Sequence, residues 1–136
     1  AFVSRTGRVA VVHSSKALQP WRAVAVTVMK REAPPFPLDG PIEVEIEVAV
    51  ARPKGHYRGG KPGKDRLKPD APTVPCTGRD LDKVARAVLD CATMAGWWFN
   101  DARVSSLLVR RSFVDAWEVE TVRILARPDV RSLTHS

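Results

Sequence analysis

Asp80 and Asp82 stand two residues apart, and Asp101 follows nineteen residues later. Arg79, Lys83 and Arg86 flank the first pair. Carboxylates gathered without a partner repel one another, so a cluster persists around a cation. A few carboxylate oxygens suit Mg²⁺, a hard ion that keeps several of its waters. Such an ion activates water and neutralises the charge that develops during phosphodiester cleavage. The bases beside the acids point to a polyanionic substrate. No competing chemistry is visible. His13, His56 and His135 are far apart, and no Ser or Cys lies in a nucleophile elbow. The glycines of residues 59–63 lack the Walker pattern of a phosphate loop.

The acids need elements to hold them. Leu81, Val84, Ala85, Val88, Leu89, Ala92 and Ala95 recur at steps of three and four, which predicts a helix over 81–95. Asp80 suits its N-cap and Gly96 its C-terminal stop. Capping is therefore the plain reading of Asp80, set against metal binding. Asp82, Arg86 and Asp90 share the opposite face, so Arg86 has Asp82 and Asp90 as candidate ion-pair partners. Asp90, two turns from Asp82, reads as a surface partner and not as a ligand. A helix of this length is about 22 Å long. The chain must fold back for Asp101 to approach the Asp80 end. Trp97, Trp98 and Phe99 lie in that return; they could stack on unpaired bases, but packing is favoured for at least two of them.

The rest of the chain supplies a frame. Ile42, Val44, Ile46, Val48 and Val50 alternate with Glu43, Glu45, Glu47 and Ala49, a strand with one apolar and one wet face. A helix runs to about Glu32, capped by Ser14 or Ser15 or starting near Gln19 because Pro20 fits only a first turn. Residues 1–13 read as a frayed strand or hairpin, and two further strands are expected over 103–111 and 116–126, with Asp115 and Ala116 in the turn. Trp21 and Trp117 are expected in the core. Residues 127–136 read as a flexible tail. Residues 52–79 are a Pro- and Gly-rich segment with eight bases against two acids, a net +6. So long a loop is functional or disordered, and its bases precede the acids directly. Its plain reading is a solvated coil; its charge favours a DNA contact.

The chain has 136 residues and a net charge of +7, with 44% hydrophobic and 27% charged residues. That fits one domain, 1–136, of ordinary composition, and favours a phosphate-rich partner. No apolar run reaches the roughly 20 residues of a membrane span. Ala1–Arg5 lacks a secretory signal, and the absence of an initiator Met suggests a truncated start. Cys76 and Cys91 have no zinc-site spacing and read as free thiols of a reducing cytoplasm.

Arg79-Asp80-Leu81-Asp82, then Arg86 through Asp90, then Gly96 through Val104 closely resemble the RusA family of Holliday junction resolvases. Arg52 through Tyr57 is similar to the basic loop of phage-encoded members, and the specific resemblance covers about residues 52–113. It implies an α+β fold, a small mixed or antiparallel sheet packed with two main helices, as a homodimer. It also implies an endodeoxyribonuclease that resolves four-way junctions by paired symmetric nicks with Mg²⁺ or Mn²⁺. Asp80, Asp82 and Asp101 match the metal-binding acids, and Arg79 and Arg86 the functional bases, Arg86 among the catalytic group. Lys83 joins Arg79 and Arg86 at the backbone, and Arg52, Lys54, Arg58, Lys61, Lys64 and Lys68 give further phosphate contacts. Three positions depart from the family pattern: Lys83 replaces Asn, Arg86 replaces Lys, and Asn100 replaces the first of two paired acids. The N-terminal strand looks shortened. The main rival is a non-catalytic branched-DNA-binding protein of the same fold; an RNA-directed metal nuclease and a structural interaction protein are the others.

Overall fold

The computed structural model describes residues 7–13, 18–76, 78 and 80–133, leaving aside the side chains of residues 18–20 and 133. Four strands form one sheet: β1 (Arg8–His13), β2 (Ile42–Ala51), β3 (Val104–Val114) and β4 (Thr121–Pro128). Their order is β1-β4-β2-β3. β4 runs antiparallel to both neighbours, whereas β2 and β3 are parallel. The sheet is therefore mixed, as expected. Parallel neighbours need a long crossover. Here it contains the basic loop and helix α2 (Leu81–Met94). Helix α1 (Leu18–Arg31) joins β1 to β2, and a single turn, α3 (Val130–Leu133), follows β4.

Period-two alternation places Ala10, Val12, Ile42, Val44, Ile46, Val122, Ile124 and Ala126 on the buried face. Trp21, Ala25 and Met29 of α1 and Ala85, Val88 and Ala92 of α2 complete that core. Pro20 lies in the first turn of α1, the place that tolerates it. Ser14 and Ser15, and the hairpin partner expected at Phe2 and Val3, lie outside the described residues. No helix among the described residues is long and apolar enough to cross a membrane. Cys76 is exposed, Cys91 is buried, and both are free; burial pushes the Cys91 thiol up from its ordinary pKa.

Helix α2 ends at a glycine. The Gly96 amide donates to the Thr93 carbonyl and that of Trp97 to Ala92, with Gly96 at φ +84°. This is a Schellman ending, which requires the left-handed conformation glycine adopts freely. It turns the chain back towards β3. The return is anchored by two buried indoles: Trp97 Nε1 donates to the Met29 carbonyl at 2.7 Å, and Trp98 Nε1 to Thr93 Oγ1 at 2.8 Å.

Three expectations change. The last strand, expected over 116–126, runs Thr121–Pro128, because residues 115–120 form the connection from β3. Trp117 is 54% exposed, because it lies in the β3–β4 connection beside Tyr57 and not beneath a helix. The stretch 127–133 is not a loose tail. β4 extends to Pro128, and Asp129 is 2% exposed. Its carboxylate accepts from Ser105 Oγ at 2.6 Å and from the Arg131 guanidinium and amide. Its amide donates to the Pro41 carbonyl. One residue, through its amide and its carboxylate, thus ties the end of β4 to the starts of β2 and β3.

The Arg131 guanidinium, then the Ser105 hydroxyl and the Arg131 amide, hold the Asp129 carboxyl well below the usual carboxylate range. A depressed folded-state pKa gives stability that is complete above the unfolded value, about 4, and is lost as pH falls towards the folded value. Asp129→Asn is expected to lower Tm at pH 7 by several degrees and to flatten the decline of Tm below about pH 4. Thermal melts across that range check it; an acid limb identical to that of the unmodified protein would contradict it.

Candidate active site and nucleic-acid interface

Asp80 occupies the N-cap position of α2, and its carbonyl accepts from the Val84 amide at 3.1 Å. Its side chain makes no capping hydrogen bond. The carboxylate turns instead to Lys83, 3.9 Å away, in a solvent-exposed pair. Asp82, in the first turn, is exposed and makes no ion pair or hydrogen bond with a described residue. A helix N-terminus favours negative charge, so both acids sit where the backbone field supports them.

Asp101 opens the short turn Asp101–Arg103 that leads into β3. Asn100 caps this turn, accepting from the Ala102 amide at 2.8 Å. The fold-back that the sequence demanded does occur. Asp101 Oδ2 lies 3.7 Å from Arg86 Nη1, a guanidinium one helical turn from Asp82 on the same face. Arg86 therefore pairs with neither Asp82 nor Asp90, the two partners expected from spacing. Asp90 pairs with Arg22 of α1 at 3.9 Å, a partner no helical periodicity could reveal. The structure thus brings Asp82, Arg86 and Asp101 onto one surface. It does not draw the acids into a tight cluster: among the described residues, no three His, Cys, Asp or Glu side chains stand close enough to hold a metal ion.

The long basic segment is organised around one buried tyrosine. Tyr57 is 1% exposed and bridges to Leu67. Its hydroxyl accepts from the Ala116 amide at 3.0 Å and reaches Asp115 Oδ1 at 3.4 Å. Arg52 lies over the Phe113 ring, 4.5 Å from its centre, and donates to the Pro72 carbonyl. Arg58 donates to the Asp65 carbonyl, and Arg66 to the Lys61 and Arg58 carbonyls. These three arginines shape the loop. Lys54, Lys61, Lys64 and Lys68 are exposed and make no ion pair with described residues. At the loop's end a β-carbon on Gly78 would stand 3.2 Å from Arg111 Nη1. Arg111 thus brings a β3 base against Gly78, two residues before Asp80 in the chain. Its strand position carried no sequence signal for that role. Arg79 lies outside the described residues.

Tyr57→Phe removes the acceptor of the Ala116 amide. A loss of about 1–2 kcal/mol is expected, with faster amide exchange across residues 54–68. Denaturant unfolding and hydrogen exchange measure both, and unchanged exchange would show that the tyrosine does not hold the loop.

A family profile described as endodeoxyribonuclease RusA matches residues 1–124, and so spans β1 to β3, the first half of β4, the basic loop and all three acids. The chain belongs to the RusA endodeoxyribonuclease family. None of the curated proteins compared matches it. For this RusA-family chain, the donor set itself tests whether a hard cation fits. Asp80, Asp82 and Asp101 offer only carboxylate oxygens, the ligands such a cation prefers. Asp80 is held by an exposed ion pair and Asp101 by a partly exposed one, contacts worth about 0–1 kcal/mol each. Little opposes exchanging a lysine or arginine partner for a divalent ion. The residues therefore fit the group in chemistry and accessibility.

Proposed function

We propose that this RusA-family chain is a Mg²⁺-dependent endodeoxyribonuclease. It resolves four-way DNA junctions by paired symmetric nicks, with Mn²⁺ as a substitute ion. The observation that carries this reading is the approach of Asp101 to Arg86, which returns the third acid to the helix face bearing Asp82. Asp80, Asp82 and Asp101 would hold the ion. When bound, it supplies charge neutralisation and an acidified water. The chain's own bases do the positioning. Arg86, released from Asp101, offers its planar fork to the scissile phosphate. Lys83 and Arg79 hold the adjacent backbone, and Lys54, Lys61, Lys64 and Lys68 hold the arm further out. Arg52 and Arg58 keep the loop in shape and place their remaining donors along the same track. The products are a 5′-phosphate and a 3′-hydroxyl. Action is in the cytoplasm of a bacterial host, with a phage or prophage source suggested by the loop style.

Two nicks on opposite strands of a two-fold junction call for a two-fold enzyme. The sheet face away from the helices supports pairing with a second copy. It carries Arg110 on Glu47 at 3.0 Å, and Arg127 on Glu43 at 2.6 Å and Glu45 at 3.3 Å. With Arg123 that face balances three bases against three acids, on a chain of net charge +7. It is a poor surface for DNA and a self-complementary one for a homodimer.

The separation of the acids favours a second reading, a branched-DNA-binding protein of the same fold without catalysis. One assay separates the two. Four-way junction, linear duplex and RNA duplex are each incubated with the protein in Mg²⁺ or in EDTA. Symmetric Mg²⁺-dependent nicking of the junction alone is expected. Tight junction binding without nicking would replace the nuclease reading with the binding one, and RNA cleavage would redirect it.

A further inference from the structure

Phe99 is conspicuous. Its neighbours Trp97 and Trp98 are 0% and 1% exposed, but Phe99 is 73% exposed. It is two residues from Asp101, and no aromatic or cationic partner covers its ring among the described residues. Met94, at the end of α2, is 67% exposed. The two border an open hollow of about 510 Å³, closed by Arg22 of α1, Asp90 and Thr93 of α2, and the turn at Asn100 and Asp101. That volume lies in the range of small-ligand sites.

The ring is also rigidly mounted. On one side the indoles of Trp97 and Trp98 are hydrogen-bonded into the core. On the other the Asn100 cap fixes the backbone. A pre-set aromatic loses little conformational freedom when something stacks on it. The charge of the hollow selects what that is. Its charged lining is Asp90, Asp101 and Arg22; Asp90 engages Arg22 at 3.9 Å and Asp101 engages Arg86 at 3.7 Å, so among the described residues no unpaired cation lines the hollow. An anionic backbone is disfavoured there. A neutral planar group with amino donors is favoured, since it can stack on the ring and donate to the Asp90 carboxylate.

We infer that the Phe99 hollow receives an unpaired nucleobase from the centre of the branched DNA. This rests on the nuclease reading above and deepens it. It assigns Phe99 a binding role that selects opened DNA over continuous duplex, because only a base free of its stack can enter.

The test uses a four-way junction with 2-aminopurine at the branch point, bound in EDTA by the full chain. A change of about twofold or more in emission is expected on binding. Phe99→Ala should abolish that change and weaken junction binding about tenfold, with duplex binding left within about twofold. Phe99→Trp should restore both. Phe99 is exposed, so melting temperatures should not move. Unchanged emission and junction affinity in Phe99→Ala overturn the inference while nicking by the same preparation upholds the nuclease. A Phe99-dependent emission change in a protein that never nicks upholds the base site and removes the nuclease. Absence of junction binding overturns both.

Discussion

Asp82→Asn is expected to slow junction nicking by about a thousandfold while junction affinity in EDTA stays within about threefold. The magnitude follows from the role. A cation at a reacting phosphate contributes several kcal/mol of charge stabilisation, and each 1.36 kcal/mol is tenfold in rate. Asp82 is exposed and bonded to no described residue, so its replacement costs the fold little. Asn preserves shape and removes only the charge. The same exchange at Asp101 should act on rate too, with an added effect: Arg86 would lose its 3.7 Å partner and gain freedom to meet phosphate. Junction affinity in EDTA should then rise slightly. Quench-flow or gel measurements of single-turnover nicking give the rate, and mobility shifts give the affinity. Equal losses in rate and affinity for Asp82→Asn would place the residue in binding and not in catalysis.

Replacing Lys54, Lys61, Lys64 and Lys68 together by Gln should have the next largest effect. Binding to any DNA, branched or duplex, should weaken by about tenfold or more near physiological salt. The slope of log K against log salt should become shallower by about 0.9 for each phosphate that a lysine no longer neutralises. The loop itself should persist, because its shape depends on Tyr57, Arg52, Arg58 and Arg66 and on none of these lysines. Titrations at several salt concentrations separate the outcomes. An unchanged slope would mean that the loop points away from DNA. A weakening confined to junctions would mean that it reads branch geometry rather than charge.

Much of this architecture was legible because two periodicities carry it. The alternation of Ile42 through Val50 allowed only a half-buried strand, and the stripe from Leu81 to Ala95 allowed only an amphipathic helix. Gly96 marked the turn because few other residues accept its φ. What stayed hidden involves residues far apart in the chain. Nothing local tells that Asp90 meets Arg22, or that Arg86 prefers Asp101 to acids on its own helix. The composition of the basic segment hid its order. Its proline and glycine content reads as coil, but one buried tyrosine holds it against the β3–β4 turn. Asp129 was unreadable for a similar reason. A lone Asp after Pro looks like a tail residue until Ser105 and Pro41 are seen to close on it. The site was legible in its residue types and not in its distances. Side-chain pairing chooses among neighbours that only the fold supplies.

Everything rests on Asp80, Asp82 and Asp101 sharing one cation, and Mn²⁺ reports on that without any turnover. A bound paramagnetic ion broadens the resonances of the groups around it. In the unmodified protein, Mn²⁺ should broaden the backbone signals of all three aspartates together at a single saturable site, and excess Mg²⁺ should reverse the effect. Asp82→Asn should abolish the saturable site. Broadening that omits Asp101, or that survives Asp82→Asn undiminished, would contradict the shared site.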